Sequence, residues 1–248
     1  MTAATAEQGH WLEPWHVMVI VSRRRRGKST LATVIASYFT RATVIFVDVK
    51  KKYRVHDAVV VHGIGELTAL KTLPARIQFV PVAVKTPDDD KAEIKEWDRF
   101  FAWCHAQHDI CVLLDECVPW PAPASGFPGW LRKYVGQAGV NRGGIIACTG
   151  RYRGVFRDLF SHADAIVIFP DGLSIDELTD VAAEMQLGRF EEGGRKVKGV
   201  DILRGYLDQA KATGPYACVW WDRDSNTFRI FELPAELVDR AIATEIAP

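Results

Sequence analysis

Residues 15–39 read WHVMVIV-SRRRRGKST-LATVIASYF, and this segment constrains the fold more than any other. An unbroken apolar run suits a strand covered on both faces, and it passes through a short loop directly into a helical pattern. That strand–loop–helix order is the context in which G-x-x-x-x-G-K-[ST] wraps a nucleotide's phosphates. The chemistry requires consecutive backbone N–H groups aimed at an anion at the positive end of a helix. Ser22 through Thr30 fill the loop: Ser22, Arg23, Arg24, Arg25, Arg26, Gly27, Lys28, Ser29 and Thr30. Gly27 lets the backbone come close, Lys28 is placed to neutralise the β- and γ-phosphates, and Ser29 offers a hydroxyl to Mg²⁺. Ser22 stands where the pattern has its first glycine; serine is small enough for that place if φ is not strongly positive. A plain basic surface cluster is the alternative for RRRRGK, and its position between a buried strand and a helix argues against it. The guanidiniums of Arg23–Arg26 repel one another unless an anion lies among them.

The rest of the chain repeats the alternation. Strands are expected at His16–Val21, Thr43–Asp48, Ala58–Val61, Ile77–Val84, Ile110–Leu114, Gly144–Thr149 and Ala165–Phe169. Helices are expected at Lys28–Thr40, Glu66–Leu73, Lys91–His108, Trp130–Ala138 and Ser174–Met185. Ile94, Trp97, Phe100, Phe101, Cys104 and His108 step by three and four, giving one apolar stripe. Ser174 and Glu177 form a capping box. Strand and helix units in this order predict an α/β three-layer fold around a mostly parallel sheet. Beyond Leu187, GRFEEGGRKVKG reads as an exposed loop, Tyr216–Trp221 and Thr227–Leu233 as a β-hairpin, and Ala235–Ile246 as a terminal helix. The expectation is a single domain over residues 1–248, with a core at about 15–187 and a C-terminal appendage at about 188–248.

Composition excludes other classes. The 248 residues are 48% hydrophobic and 25% charged, which is ordinary for a chain with a full core and not for a disordered one. With 31 basic and 31 acidic side chains, any nucleic-acid surface must be local. No apolar run nears the ~20 residues of a membrane span, and MTAATAEQGHWLEP has no signal-peptide pattern. The five cysteines are scattered without a CxxC pair, which fits reduced thiols better than a structural zinc.

Two further strand ends carry chemistry. Ile110-Cys-Val-Leu-Leu-Asp115-Glu116 is an apolar strand closing on two acids. Asp115 can hold Mg²⁺ and receive the Ser29 hydroxyl, while Glu116 can polarise the attacking water. Acids at that edge lie where open α/β sheets bind ligands. The pair points to ATP hydrolysis over passive nucleotide binding. In Gly144-Ile-Ile-Ala-Cys-Thr149-Gly150-Arg151, Thr149 either faces the γ-phosphate or is satisfied in a local turn. Arg132, Arg142, Arg151 and Arg153 flank that strand. One of them, Arg142 first and Arg151 second, is a candidate for insertion into a neighbouring subunit's site; otherwise each is a surface cation.

Together SRRRRGKST, TVIFVDVKKKY with Asp48 and Lys50, ICVLLDE and NRGGIIACTGRYRGV resemble the HerA/FtsK superfamily of P-loop ATPases over roughly Val17 to Phe169. The short chain is similar to the genome-packaging ATPases of membrane-containing icosahedral viruses. The resemblance implies a RecA/FtsK-like fold, ATP and Mg²⁺ as cofactors, and a motor that translocates double-stranded DNA into a capsid. It implies a hexameric or pentameric ring around DNA, contacts with portal or vertex membrane proteins without direct membrane insertion, and a soluble place in host cytoplasm or at the virion vertex. Alternatives are a phage-assembly, secretion or conjugation ATPase, or a non-hydrolysing nucleotide switch at a portal. The family's sensor Gln falls on Gly150, which leaves nucleotide sensing to Thr149 or an arginine. DNA contacts would be to phosphates. Candidate basic loops are Lys50–Lys52 with Tyr53 and Arg54, and Arg189 with Arg195, Lys196 and Lys198, each alternatively a solvated surface.

Overall fold

The structure, a computed structural model, describes residues 12–22, 26–49, 55–81, 90–115, 128–150, 157–170, 173–192 and 195–236. β1 (Val17–Val21) leads into α1 (Lys28–Ser37), followed by β2 (Thr43–Val47), β3 (Val59–His62), α2 (Gly63–Thr68) and β4 (Arg76–Val80). Next come α3 (Asp90–Ala106), β5 (Ile110–Leu114), α4 (Gly129–Gly136), α5 (Ala138–Asn141) and β6 (Gly143–Thr149). The chain continues through α6 (Arg157–Ser161), β7 (Ala165–Ile168), α7 (Ile175–Glu184), β8 (Arg189–Glu192) and β9 (Arg195–Lys198). It ends with α8 (Gly199–Thr213), β10 (Ala217–Asp222) and β11 (Thr227–Glu232).

Nine of the described strands form one sheet in the order β11-β10-β7-β1-β6-β5-β2-β4-β3. β7 through β3 run parallel, and β10 and β11 add antiparallel strands at the β7 edge. The sheet is mostly parallel, as the apolar runs require. β6 lies between the phosphate-loop strand β1 and the acid-bearing strand β5, so three chemically marked strand ends sit side by side.

Alternate residues of the central strands supply two cores. Val17, Val19, Val21, Val112, Leu114, Ile145 and Ala147 face one; Met18, Ile20, Cys111, Leu113, Ile146 and Cys148 face the other. The first is covered by Phe100, Tyr134, Phe160, Val181 and Leu203 from α3, α4, α6, α7 and α8. The second is covered by Leu31, Ala32 and Ala36 of α1. This is a three-layer α/β fold. The stripe on α3 packs where it should: Phe100 lies 4.6 Å from Phe79 of β4 and 5.1 Å from Phe101, ring centre to ring centre. Burying each such ring contributes about 1.5–3 kcal/mol. The α7 capping box is present, with Ser174 N–H donating to the Glu177 carboxylate at 3.0 Å and Glu177 N–H to Ser174 Oγ at 3.3 Å.

Several expectations are corrected. GRFEEGGRKVKG is not a loop: β8 and β9 pair antiparallel, Arg189 opposite Lys198 and Glu192 opposite Arg195. Two four-residue runs around Gly193-Gly194 are a hairpin signal, which the charge of the stretch obscured. α8 was not anticipated, although Leu203, Tyr206, Leu207 and Ala210 carry helical spacing, with Leu203, Leu207 and Ala210 buried. β10 and β11 continue the main sheet. α3 ends at Ala106, so His108 leaves the apolar stripe; it is exposed, with its Nδ1 3.3 Å from Asn141 O. α1 stops at Ser37 rather than Thr40, α2 begins at Gly63 rather than Glu66, and β4 ends at Val80 rather than Val84. The expected terminal helix lies outside the described residues from 237 onward. No helix among the described residues is long and apolar enough to cross a membrane.

Candidate functional site

β1 delivers the phosphate loop to the C-terminal edge of the sheet. Ser22 is buried, and its N–H donates to Thr149 O at 3.0 Å, tying the loop's start to the end of β6. Ser22 is not among the residues of positive φ, so serine serves where the motif has glycine. Gly27 is different. It caps α1 in the left-handed region at φ 88°, where a side chain is strained, and its carbonyl accepts the first helical hydrogen bond, from Leu31 N–H at 2.8 Å. The first turn of α1 contains no acid, so nothing within the helix neutralises its positive end. Lys28 opens that turn with only 6% of its surface exposed, and its carbonyl receives the Cys148 thiol at 3.9 Å. Thr30 is half-buried on the same turn.

Ser29 Oγ donates to Asp115 Oδ1 at 2.8 Å. These residues are 86 apart in sequence and sit on elements separated by a strand. Thr149, fully buried, ends that intervening strand in register with Val21. The helix start and the acid are therefore in contact, and the threonine ends the strand beside the start of the loop. A hydroxyl and a carboxylate are hard oxygen donors suited to Mg²⁺, which takes one or two protein ligands and completes its shell with phosphate oxygens and water. No group of three His, Cys, Asp or Glu side chains among the described residues could hold a metal ion.

Beside this pair, Asp48 follows β2 and is buried; its carboxylate accepts from Gln78 Nε2 at 3.0 Å. Gln78 Oε1 in turn accepts from Val55 N–H at 3.4 Å. Gln78 was missed by sequence reasoning, although one amide inside the buried run RIQFV was the available signal. Gln78→Leu removes a donor from a buried carboxylate and is expected to cost about 1–3 kcal/mol, read as a lowered Tm. A cleft of about 210 Å³ opens from Ser29 and Asp115 along Thr33 and Ser37 of α1, reaching Arg76.

The arginines divide by position. Arg132 pairs with Asp158 at 2.7 Å on the surface. Arg142 precedes β6, at the sheet edge opposite Thr149, roughly 20 Å away along seven residues of strand. Within one chain it cannot reach the phosphate loop. Arg26 is half-buried. Arg23, Arg24, Arg25, Glu116, Arg151, Arg153 and Lys50–Arg54 lie outside the described residues. Burial raises the pKa of the Cys111 and Cys218 thiols to about 12 and pushes that of the Cys104 thiol well above its ordinary value, so these are packing residues and not nucleophiles.

The genome-packaging NTPase B204 of Sulfolobus turreted icosahedral virus 2, solved with AMP, superposes with a TM-score of 0.60 at 15% identity, over 89% of this chain and 99% of that one. The chain has the fold of a viral genome-packaging NTPase. The ATP-γS complex of the same B204 gives 0.60 at 14% identity, over 90% of this chain and 99% of that one. B204, described as the DNA-packaging ATPase of Sulfolobus turreted icosahedral virus, gives 0.56 at 16%, again over 90% and 99%. No protein-family model and no curated protein matches the chain in sequence. At such low identity the likeness is one of fold, and the site rests on its own geometry.

Proposed function

We propose that this protein is an ATP-hydrolysing motor that translocates double-stranded DNA, packaging a viral genome into a capsid as a ring of identical copies. The observation that carries this reading is the Ser29–Asp115 hydrogen bond at 2.8 Å, at the mouth of a helix whose start is free of acids. That hydroxyl–carboxylate pair is the protein's share of a Mg–nucleotide site, and Lys28 and the loop amides supply charge for the phosphates. Glu116 follows Asp115 directly and is assigned the attacking water. Thr149, between loop and acid, is assigned the γ-phosphate. The likeness of fold to B204 supports packaging over the secretion and switch alternatives.

Arg142 is assigned to a neighbour's pocket, because its own lies at the opposite edge of the sheet. Phosphate-directed DNA contact through local basic segments fits the zero net charge.

Steady-state ATP hydrolysis with and without double-stranded DNA tests the reading. Stimulation by DNA is expected, and Glu116→Gln is expected to bind Mg-ATP while turning over at least ~10²-fold more slowly. Nucleotide binding with no hydrolysis in the parent protein points to the switch, and hydrolysis indifferent to DNA points to assembly or secretion. Parent-level hydrolysis by Glu116→Gln removes the role given to that residue.

A further inference from the structure

At the edge opposite the nucleotide site, two side chains, Asp109 and Trp15, hold one guanidinium. Arg142 has φ 52°, in the left-handed region. Arginine has no special tolerance for that region, whereas glycine or asparagine would cap α5 at less cost. Strain of this kind persists where the surroundings over-determine it and the side chain serves a purpose. The surroundings here do over-determine it. A Cβ on Gly143 would lie 2.8 Å from the Tyr134 ring, and one on Gly144 would lie 2.0 Å from Pro14 O and 2.8 Å from His16 O. Tyr134 Oη also bridges Ile110 O and Gly144 O, at 3.0 Å each. The backbone that carries Arg142 is therefore fixed on three sides.

The side chain is held as well. Asp109 Oδ1 receives an Arg142 terminal nitrogen at 2.7 Å. The Trp15 ring lies 5.2 Å from the guanidinium carbon, within range of a cation–π contact. Asp109 is itself pinned: it has φ 57°, and its carbonyl accepts from Thr43 N–H at 2.8 Å. Trp15 sits in a turn closed by His16 N–H to Glu13 O at 3.0 Å, and that turn rests on β6 through Ile145 N–H to His16 O at 3.1 Å. One nitrogen and one ring face are thus committed, yet 53% of the Arg142 side chain stays exposed. A guanidinium has five donors, so the fork keeps others to present.

We infer that Asp109 and Trp15 are positioning residues that preset the Arg142 guanidinium for the nucleotide pocket of an adjacent copy of this chain. The inference rests on the proposed trans role of Arg142. An ion pair serving only to join the starts of β5 and β6 would need neither the ring nor the exposed fork. Holding the fork in advance removes the ordering cost from the moment of phosphoryl transfer.

The test is ATP hydrolysis by assembled full-length protein carrying Arg142→Ala, Arg142→Lys, Asp109→Asn, Trp15→Leu or Trp15→Phe. Asparagine tolerates the left-handed region, so Asp109→Asn changes the charge without changing the turn. Asp109→Asn and Trp15→Leu are expected to lower kcat about ten- to a hundredfold, the scale of an ångström's misplacement, with KM for ATP unchanged. Trp15→Phe is expected to recover most of the loss, and Arg142→Lys to behave as Arg142→Ala because it lacks the planar fork. Mixing Asp109→Asn subunits with Lys28→Ala subunits is expected to restore turnover above either alone, since the second set brings sound Arg142 edges to sound pockets of the first. A merely structural ion pair would give no such recovery. If Arg142→Ala lowers kcat while Asp109→Asn and Trp15→Leu do not, the positioning role is wrong. Unchanged kcat in Arg142→Ala removes the trans role itself, and the inference with it.

Discussion

Lys28→Ala is expected to lose ATP turnover by roughly 10²–10³-fold, the usual scale for deleting one preorganised contact to developing charge. Lys28 is almost fully buried at the first turn of a helix that carries no acid of its own there. In that place its charge is poorly hydrated and acts on phosphate through a medium less screening than water. Steady-state kinetics checks the loss, and calorimetry on the same preparation checks that the variant is folded. A variant that turns over within about twofold of the parent would separate Lys28 from the chemistry, and a collapsed Tm would make it a folding residue instead.

Gly144→Ala is expected to produce the largest loss of stability. Its Cβ would fall 2.0 Å from Pro14 O and 2.8 Å from His16 O, both backbone atoms that cannot rotate away. Accommodation means pushing the 13–16 turn off β6, which breaks the Ile145 N–H to His16 O bond at 3.1 Å. Overpacking at a rigid contact costs about 3 kcal/mol or more, a fall in Tm of very roughly 10 °C for a chain of this size. Gly205→Ala is the matched control. It lies inside α8 with nothing within 4 Å of the added atom, so it is expected to stabilise by about 0.5–1 kcal/mol. Equal Tm values for the two variants would contradict the packing described at Gly144.

The parts of the fold that were legible from sequence are those in which neighbouring residues settle the outcome. Apolar runs such as ICVLL and VMVIV are buried on every residue, and no helix period competes with them. The Ser29–Asp115 pair was legible because two separate local patterns, a glycine-lysine loop and an acid-ended strand, each announce one partner. α8 was obscured by Asp201, Arg204, Asp208 and Lys211 spread among its apolar positions; amphipathy lowers mean hydropathy without weakening the helix. The β8–β9 hairpin was obscured in the same way, its Gly-Gly step read as a sign of irregularity.

The cluster around Arg142 shows a deeper limit. Trp15, Asp109 and Tyr134 carry no motif, and only the parallel order of β1, β6 and β5 brings their flanking segments to one edge. Gln78 is an intermediate case. An amide in a buried strand signals that a partner exists, but Asp48, 30 residues away, becomes its partner only through the β2–β4 register.

β6 is bonded to parallel neighbours on both sides, and its register runs without interruption from Gly143 to Thr149. Gly143 and Gly144 are paired only to β5, and Cys148 and Thr149 only to β1, with the three residues between them bonded on both flanks. One end is the threonine beside the phosphate loop, and the other is the glycine joined to Arg142. Lengthwise displacement of Thr149 would therefore load the same hydrogen-bonded ladder that holds the residue next to Arg142.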